Sequence, residues 1–333
     1  MGRQMTSKLE WNVKDLRGRP PGPTKRVTMF PSCLSPTSLY GGFLRVCLSA
    51  AGLTSQTIDI DDETTIHFWG PNPKPNSKSP PKPTLVLIHG FGPHGVWQWR
   101  SQIAVFARDY NVYVPSLVFF GRSTTKSSDR SEVFQAKCIG RLLVEKLGLE
   151  KFCVVGTSYG GFVAYHIARM WAERVEKVVV ASSGINMNKK DNDDLLKRAN
   201  AEKVEEFLLP TTAGQLRTLI SLCMFRGPSY LPDFVFNDFI KKLYRENRKE
   251  KLELLKGLSF GKDNTVNISP LQQDVLIIWG ENDQIFLLER ATELKELLGK
   301  KVRLEVIKSA SHLPQFEKGY KFNNILKHFL NGS

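Results

Sequence analysis

Ser158 stands in the stretch VVGTSYGG (154–161), with an apolar, β-branched run before it and helix-forming sequence, FVAYHIARMWAER, after it. Gly156, Ser158 and Gly160 make the G-x-S-x-G pattern in a strand–turn–helix setting. There a sharp, strained turn holds the serine hydroxyl out above a sheet, and small neighbours are required because backbone passes close by. The chemistry offered is nucleophilic attack on a carbonyl. An ordinary strand-to-helix turn, with Ser158 as a helix cap, fits the same residues and stays open at this point.

A serine hydroxyl is a weak nucleophile, so the first reading demands a histidine base and a carboxylate to orient it. His312 lies in SASHLPQFE directly past VRLEVI, and Asp283 in WGENDQIF directly past VLIIWG, so Ser, Asp and His occur in that order. His67 falls within a strand pattern, His166 on the helix after Ser158 and His328 in the final helix, where packed or exposed imidazoles are the default. His89 reads as a brace for its own loop. Glu281 is the rival acid, but it sits nearer the strand end than a loop-borne orienter should. Acyl transfer also needs two donors for a developing oxyanion. The Tyr159 backbone N–H is one; Phe91, between Gly90 and Gly92 in the loop after TLVLIHG, is the expected second. This chemistry calls for no cofactor and no metal.

These residues need a scaffold of strand ends. Candidate strands are TLVLIHG (84–90), NVYVPSL (111–117), FCVVGTS (152–158), KVVVASS (177–183), VLIIWG (275–280) and VRLEVI (302–307). Continuous apolar runs imply burial on both faces, hence a largely parallel sheet between helix layers. Upstream, SLYGGFLRVCLSAAGL is spaced like an amphipathic helix, and SQTIDI and TTIHFW alternate like a hairpin around Asp61, Asp62 and Glu63, supplying an antiparallel edge. A Pro-rich connector, PNPKPNSKSPPKP, follows. Residues 185–272 lie between two strands and carry helical patterns, too long a span for a loop, so an inserted helical subdomain is expected there. The domain reading is an N-terminal extension over 1–35, a core over 36–184 and 273–333, and a helical cap over 185–272.

The cap is apolar where it should face the site, at Leu216, Leu219, Ile220, Cys223, Met224, Phe225, Phe234 and Phe236, and Trp97 and Trp99 are placed near the entrance. Of these, Trp97, Leu219, Met224 and Phe225 are the expected substrate contacts, which makes the substrate a mostly apolar small molecule. The formal charge of +14 is scattered rather than gathered into a stripe, which argues against nucleic acid. Residues 1–30 carry seven Lys and Arg against Glu10 and Asp15 and read as a disordered tail. MGRQMT fits the short N-acylation pattern, which would allow membrane-surface contact through the N-terminus, although chance is the better reading of so short a match. Five cysteines without C-x-x-C spacing, and no apolar segment after the basic start, point to a reducing, cytoplasmic setting, with membrane association or organelle targeting as the alternative. The oligomeric state is not readable.

The stretches LIHGFG, GTSYGG, WGENDQIF and SASHLPQFE, in this order and on these elements, resemble the α/β-hydrolase superfamily from about residue 36 to the end. HGFGPHG is similar to the H-G-x-G-P-G stretch of carbon–carbon bond hydrolases, and the finer look is of plant serine hydrolases described as lipase-like or esterase-like. The resemblance implies a mostly parallel eight-stranded sheet between helices with an inserted helical cap. It implies a serine hydrolase cleaving an ester or related acyl bond through an acyl-enzyme. Carbon–carbon bond hydrolysis or lyase chemistry on the same three residues is the alternative, as is a hydrolase-fold hormone receptor that closes its cap over a ligand. Relatives that open epoxides or remove halide attack with a carboxylate, whereas residue 158 is serine. Two positions depart from the pattern. Ser116 stands where a glycine-flanked Asp often ends a strand, and Arg122 stands where smaller residues are common; it is either an exposed loop residue or one that reaches a substrate carboxylate.

Overall fold

The computed structural model describes residues 35–72, 82–259, 261–263 and 268–332. Residues 1–34 of the expected extension, the acylation pattern at Gly2 and most of the Pro-rich connector lie outside these. Strand β1 (Leu53–Asp59) pairs antiparallel with β2 (Thr64–Pro71) around the acidic turn. The core strands are β3 (Thr84–Ile88), β4 (Asn111–Pro115), β6 (Phe152–Thr157), β7 (Val175–Ala181), β8 (Asp274–Gly280) and β9 (Val302–Ile307). The sheet runs β1-β2-β4-β3-β6-β7-β8-β9, antiparallel at the β1, β2 and β4 junctions and parallel from β4 onward. A ninth strand, the two-residue β5 (Thr124–Thr125), adds to β2 beyond the eight expected, and nothing so short carries a pattern to read.

Side chains alternate across the sheet with the period of two that a pleated strand imposes. Val86, Ile88, Val154, Val178, Val180 and Ile277 enter one core, while Leu85, Leu87, Val155, Val179 and Ile278 enter the other. All six residues of β6 are buried, which is why the strand that leads to Ser158 reads as an unbroken apolar run.

Helices cover both faces. Helix α1 (Pro36–Ala50), α2 (Gly95–Gln98), α3 (Arg100–Phe106), α4 (Glu132–Arg141) and α5 (Tyr159–Met170) precede or punctuate the first half of the sheet. Between β7 and β8 come α6 (Lys189–Ala199), α7 (Glu205–Leu208), α8 (Ala213–Cys223), α9 (Asp233–Leu243) and α10 (Arg248–Gly257), and the chain closes its sheet with α11 (Leu288–Leu298), α12 (Pro314–Glu317) and α13 (Gly319–Leu330). Ile139, Phe162 and Leu294 from α4, α5 and α11 join the first core, together with Leu216, Phe236 and Leu254 from the inserted helices. Leu48, Ile103, Phe106, Phe322 and Leu326 from α1, α3 and α13 fill the second. Ser35, buried at the N-cap of α1, donates its hydroxyl to Asp238 of α9 at 2.8 Å, so the first described residue already ties the core to the inserted helices. Among the described residues, no helix is long and apolar enough to cross a membrane.

Candidate active site

At the end of β6 the chain turns sharply into α5, and Ser158 takes φ 52° and ψ −124°, a conformation that costs a residue with a Cβ free energy and persists only where the surroundings impose it. They do so by contact. A Cβ on Gly160 would lie 2.4 Å from the Ile88 carbonyl oxygen, and one on Gly156 would lie 2.1 Å from the Gly160 carbonyl oxygen. The Ser158 N–H is held by the Ala181 carbonyl at 2.9 Å, and its carbonyl accepts from the Ser183 hydroxyl at 2.7 Å and from Gly161 N–H at 2.8 Å. Ser158 occupies the N-cap position of α5, yet its side chain makes no capping hydrogen bond, so the alternative of a plain helix cap does not describe it. The residue lines a cavity instead.

His312 lines the same cavity. Its Nδ1 lies 3.0 Å from Asp283 Oδ2 and 3.2 Å from Oδ1, and both residues are buried. The carboxylate is fixed in turn by the backbone N–H groups of Ile285 (2.9 Å) and Phe286 (3.0 Å), which both donate to Oδ1, and the Phe286 ring packs against the imidazole at 5.4 Å. Glu281 is exposed and accepts from Ser309 N–H at 3.3 Å, pointing its carboxylate to the base of the loop rather than to the imidazole. The loop is tied down by residues with no motif of their own. Ser311 donates its hydroxyl to the carbonyls of Leu222 and Asn282, each at 3.0 Å, and its N–H to Glu317 Oε2 at 2.7 Å. The other Glu317 oxygen accepts from Phe225 N–H at 2.8 Å, so one carboxylate bridges the His312 loop to the end of α8.

Phe91 and Tyr159 also line the cavity, their rings 5.9 Å apart and edge to face. Tyr159 opens α5, and the first N–H groups of a helix have no intrahelical acceptor and sit at its positive end. Gln98 holds the Phe91 loop: its Oε1 accepts Gly90 N–H at 2.9 Å, and its Nε2 donates to the carbonyls of Gly90 (3.2 Å) and Pro93 (2.9 Å). His89 is fully buried behind the loop. Leu117 N–H donates to its Nε2 at 3.1 Å, which places the imidazole proton on Nδ1, within 2.8 Å of the Gly90 carbonyl. Burial pushes this imidazole down to about 4, so it stays neutral. Cys223 is in the cavity wall too, and burial raises its thiol well above the usual range, which keeps it a poor nucleophile.

The cavity encloses about 520 Å³. Trp97, Leu219 and Met224 line it, as do Leu216, Ile220 and Phe236. Three expectations are corrected. Phe225 stands beyond the last residue of α8, 43% exposed and outside the cavity wall, because the helix ends at Cys223 and the chain turns away. Phe234 is likewise exposed. Trp99 is fully buried in the second core against Phe322, one residue out of phase with Gln98, which faces the loop. Arg122 is exposed and donates to the Ser55 hydroxyl, away from the cavity. That hydroxyl continues to His67 Nε2 at 2.9 Å, and His67 Nδ1 to Ser116 Oγ at 3.1 Å, so the two departures from the superfamily pattern belong to one polar chain that anchors the loop after β4 to the hairpin.

The family model for the alpha/beta hydrolase fold matches residues 83–319, and the chain belongs to this family. Epoxide hydrolase 4 of Homo sapiens is 26% identical over 75% of this chain and 72% of that protein. A 2-hydroxy-6-oxononadienedioate/2-hydroxy-6-oxononatrienedioate hydrolase of Pseudomonas sp is 26% identical over 74% of this chain and 87% of its own length. Among solved structures, the 2-hydroxy-6-oxo-6-phenylhexa-2,4-dienoate hydrolase of Rhodococcus sp. superposes with a TM-score of 0.67 at 24% identity, covering 83% of this chain and 98% of that one. A thermophilic esterase of Thermogutta terrifontis does so with a TM-score of 0.64 at 18% identity, covering 84% and 98%. At these identities the structural likeness speaks for the fold.

Proposed function

We propose that this protein is a serine hydrolase that cleaves an ester or related acyl bond of a mostly apolar small molecule, in the manner of a carboxylesterase or lipase. One observation carries the reading: Ser158, strained and unused as a cap, shares an apolar cavity with a His312 whose Nδ1 is committed to the buried Asp283. With Nδ1 so committed, Nε2 is the nitrogen that takes the Ser158 proton as Oγ bonds to the carbonyl carbon. Asp283 orients the ring and stabilises the imidazolium. The Tyr159 and Phe91 N–H groups receive the oxyanion. As it collapses, the carbon–oxygen bond to the leaving alcohol breaks and His312 returns the proton to that alcohol. Water then repeats the sequence on the acyl-enzyme and frees the acid.

Residues 185–272 act in this reading as a cap over the cavity, since α6 and α8 to α10 all contribute to its wall. The roof of Leu216, Leu219, Ile220, Met224 and Phe236 takes the acyl or aromatic part of the substrate. Each methylene fully buried there contributes about 0.8 kcal/mol to kcat/KM, close to fourfold. A graded series of p-nitrophenyl esters tests this: kcat/KM rises with chain length until the cavity is full, and a flat profile from short to medium chains rejects it. Multiple turnovers in that assay also separate an enzyme from a receptor that hydrolyses its ligand once or not at all. The 26% identity to a carbon–carbon bond hydrolase favours a second reading, cleavage of a vinylogous diketone on the same residues. Turnover of a meta-cleavage product, with p-nitrophenyl esters left intact, would select it.

A further inference from the structure

Helix α1 carries an apolar stripe that faces water. Leu39 is 62% exposed, Phe43 60% and Val46 69%, and at roughly 100° per residue these three fall within about 60° of one another around the helix. Thr37, Leu44 and Leu48, on the opposite face, pack into the protein. A soluble helix ordinarily points polar side chains outward; here the outward polar ones, Ser38, Arg45 and Ser49, lie to the side of the stripe. Exposed apolar side chains scattered singly need no explanation, but three aligned on one face of a helix do.

The stripe adjoins the cavity. Tyr40, the next residue after Leu39, packs its ring on Trp97 at 4.9 Å and lines the cavity while itself 36% exposed. Phe316 also lines the cavity and is 38% exposed, with the Arg100 guanidinium 3.8 Å above its ring. Cavity wall therefore reaches the surface on the same helix that presents the stripe.

Charge decides what the stripe meets. Helix α1 contains Arg45 and no acidic residue, its neighbour α9 sets Lys241 and Lys242 at its end against Asp233 and Asp238, and the chain carries a formal net charge of +14. Two such chains repel, which disfavours a second copy as the occupant. An anionic surface with an apolar interior satisfies both the side chains and the charge: an apolar face sinks into the boundary between headgroups and acyl chains while basic residues meet the headgroups. We propose that α1 docks this protein on the surface of an anionic phospholipid bilayer, with the cavity opening beside the lipid. The site chemistry proposed above plays no part in this docking.

The test is co-sedimentation of the full chain with phosphatidylcholine vesicles containing about 30 mol% phosphatidylserine. The expected result is binding that falls at least tenfold in L39E/F43E/V46E and falls likewise on neutral vesicles. The substituted residues are exposed, so the melting temperature and turnover of a soluble short-chain ester are expected to stay unchanged. A second readout follows from exposed Cys47, one residue from Val46 on the same helix, while burial raises the thiols of Cys138 and Cys153 to about 12. An environment-sensitive dye on Cys47, in a Cys33→Ser background, is expected to shift to the blue on vesicle addition. Absence of binding by the wild type, undiminished binding by the triple variant, or sedimentation with an unchanged dye spectrum overturns the proposal; the last two outcomes assign binding to another segment, such as residues 1–34. A dimer abolished by L39E/F43E/V46E in the absence of lipid would assign the stripe to a second copy and overturn it equally.

Discussion

The loops after β3 and β9 each place a buried histidine at the top of the sheet, and the two imidazoles have opposite fates. His89 spends both ring nitrogens on the protein, receiving Leu117 N–H and donating to the Gly90 carbonyl, and it is locked neutral. His312 gives one nitrogen to Asp283 and faces the cavity. Burial is common to both; what separates a brace from a base is whether a nitrogen is left for something that is not protein. Each loop is also clamped by a side chain from the helix beyond it, Gln98 for the first and Glu317 for the second. The contrast makes graded expectations, because losing a reacting group should cost far more than losing a brace, and losing a brace more than losing a clamp.

The largest effects belong to the reacting groups. Ser158→Ala and His312→Ala are each expected to lower kcat by about 10⁴ to 10⁶, and the double variant to lose little more, because the two act as a unit. Steady-state kinetics on a p-nitrophenyl ester measures this, and a fluorophosphonate that still labels the Ser158→Ala protein would place the nucleophile elsewhere. Asp283→Asn is expected to cost about 10³ to 10⁴ with the fold intact, since the amide holds the imidazole in the wrong tautomer. Glu281→Gln, exposed and bonded only to the Ser309 amide in that loop, is expected to leave turnover within about twofold. Reversal of those two results would exchange the roles of the acids.

His89→Gln is the next step down. It replaces two ring nitrogens with one terminal amide, which can serve Leu117 N–H or the Gly90 carbonyl but not both from the ring's positions, so an expected loss of about 2 kcal/mol in stability accompanies a fall of about thirtyfold in kcat as the Phe91 loop loosens. The pH dependence sharpens the comparison. The His89 imidazole titrates near 4 in the folded protein against about 6.5 in an unfolded chain. Between those values the unfolded state binds the extra proton, so stability is full above about pH 6.5 and is lost as the pH falls toward 4, by about 3 kcal/mol for this group. Denaturant titrations at stepped pH are expected to show that acid slope diminished in His89→Gln. An unchanged slope would move the acid sensitivity to His67 or His94, which burial also holds near 4.

Much of this organisation is legible in the sequence because it is local. The strand, the glycines and Ser158 lie within ten residues, and the glycines are needed for contacts that a tight turn brings about by itself. Strands buried on both faces announce themselves as apolar runs, and Asp283 and His312 follow two of them. What escapes is what tertiary proximity alone decides. Nothing in the spacing of Gln98 or Glu317 marks them as clamps, since their partners are backbone groups of other elements. Phe225 was expected in the cavity because it continues an apolar stripe, but periodicity does not say where a helix stops, and α8 stops two residues earlier. Trp99 shows the same limit at one residue's resolution: in a short helix segment, the phase that turns Gln98 to the loop turns Trp99 into the core. Ser116 and Arg122 stand out only as departures; their common partner chain through Ser55 and His67 joins residues far apart in sequence.

The clamps carry the smallest expected effects and the finest version of the comparison. Gln98 makes three hydrogen bonds to the Phe91 loop, all to backbone, so Gln98→Ala releases a loop whose N–H the proposed oxyanion needs, and kcat is expected to fall about tenfold with KM little changed. Glu317 works from the other side: its two oxygens take Ser311 N–H and Phe225 N–H, joining the His312 loop to the end of α8. Glu317→Gln keeps one acceptor oxygen and is expected to lose about threefold or less, whereas Glu317→Ala loses both bonds and about tenfold. Only the backbone of Phe225 takes part, so Phe225→Ala is expected to change neither kcat nor KM by more than about twofold, and melting temperature by no more than a surface substitution does. Because the Glu317 bridge reaches α8 as well as His312, Glu317→Ala is expected to raise KM for long acyl chains together with lowering kcat, while Gln98→Ala lowers kcat for all chain lengths alike. Kinetics of both variants across the ester series reads that split. Identical profiles would mean that the two loops, for all their difference at the histidines, are positioned by the fold as a whole and not by these two side chains.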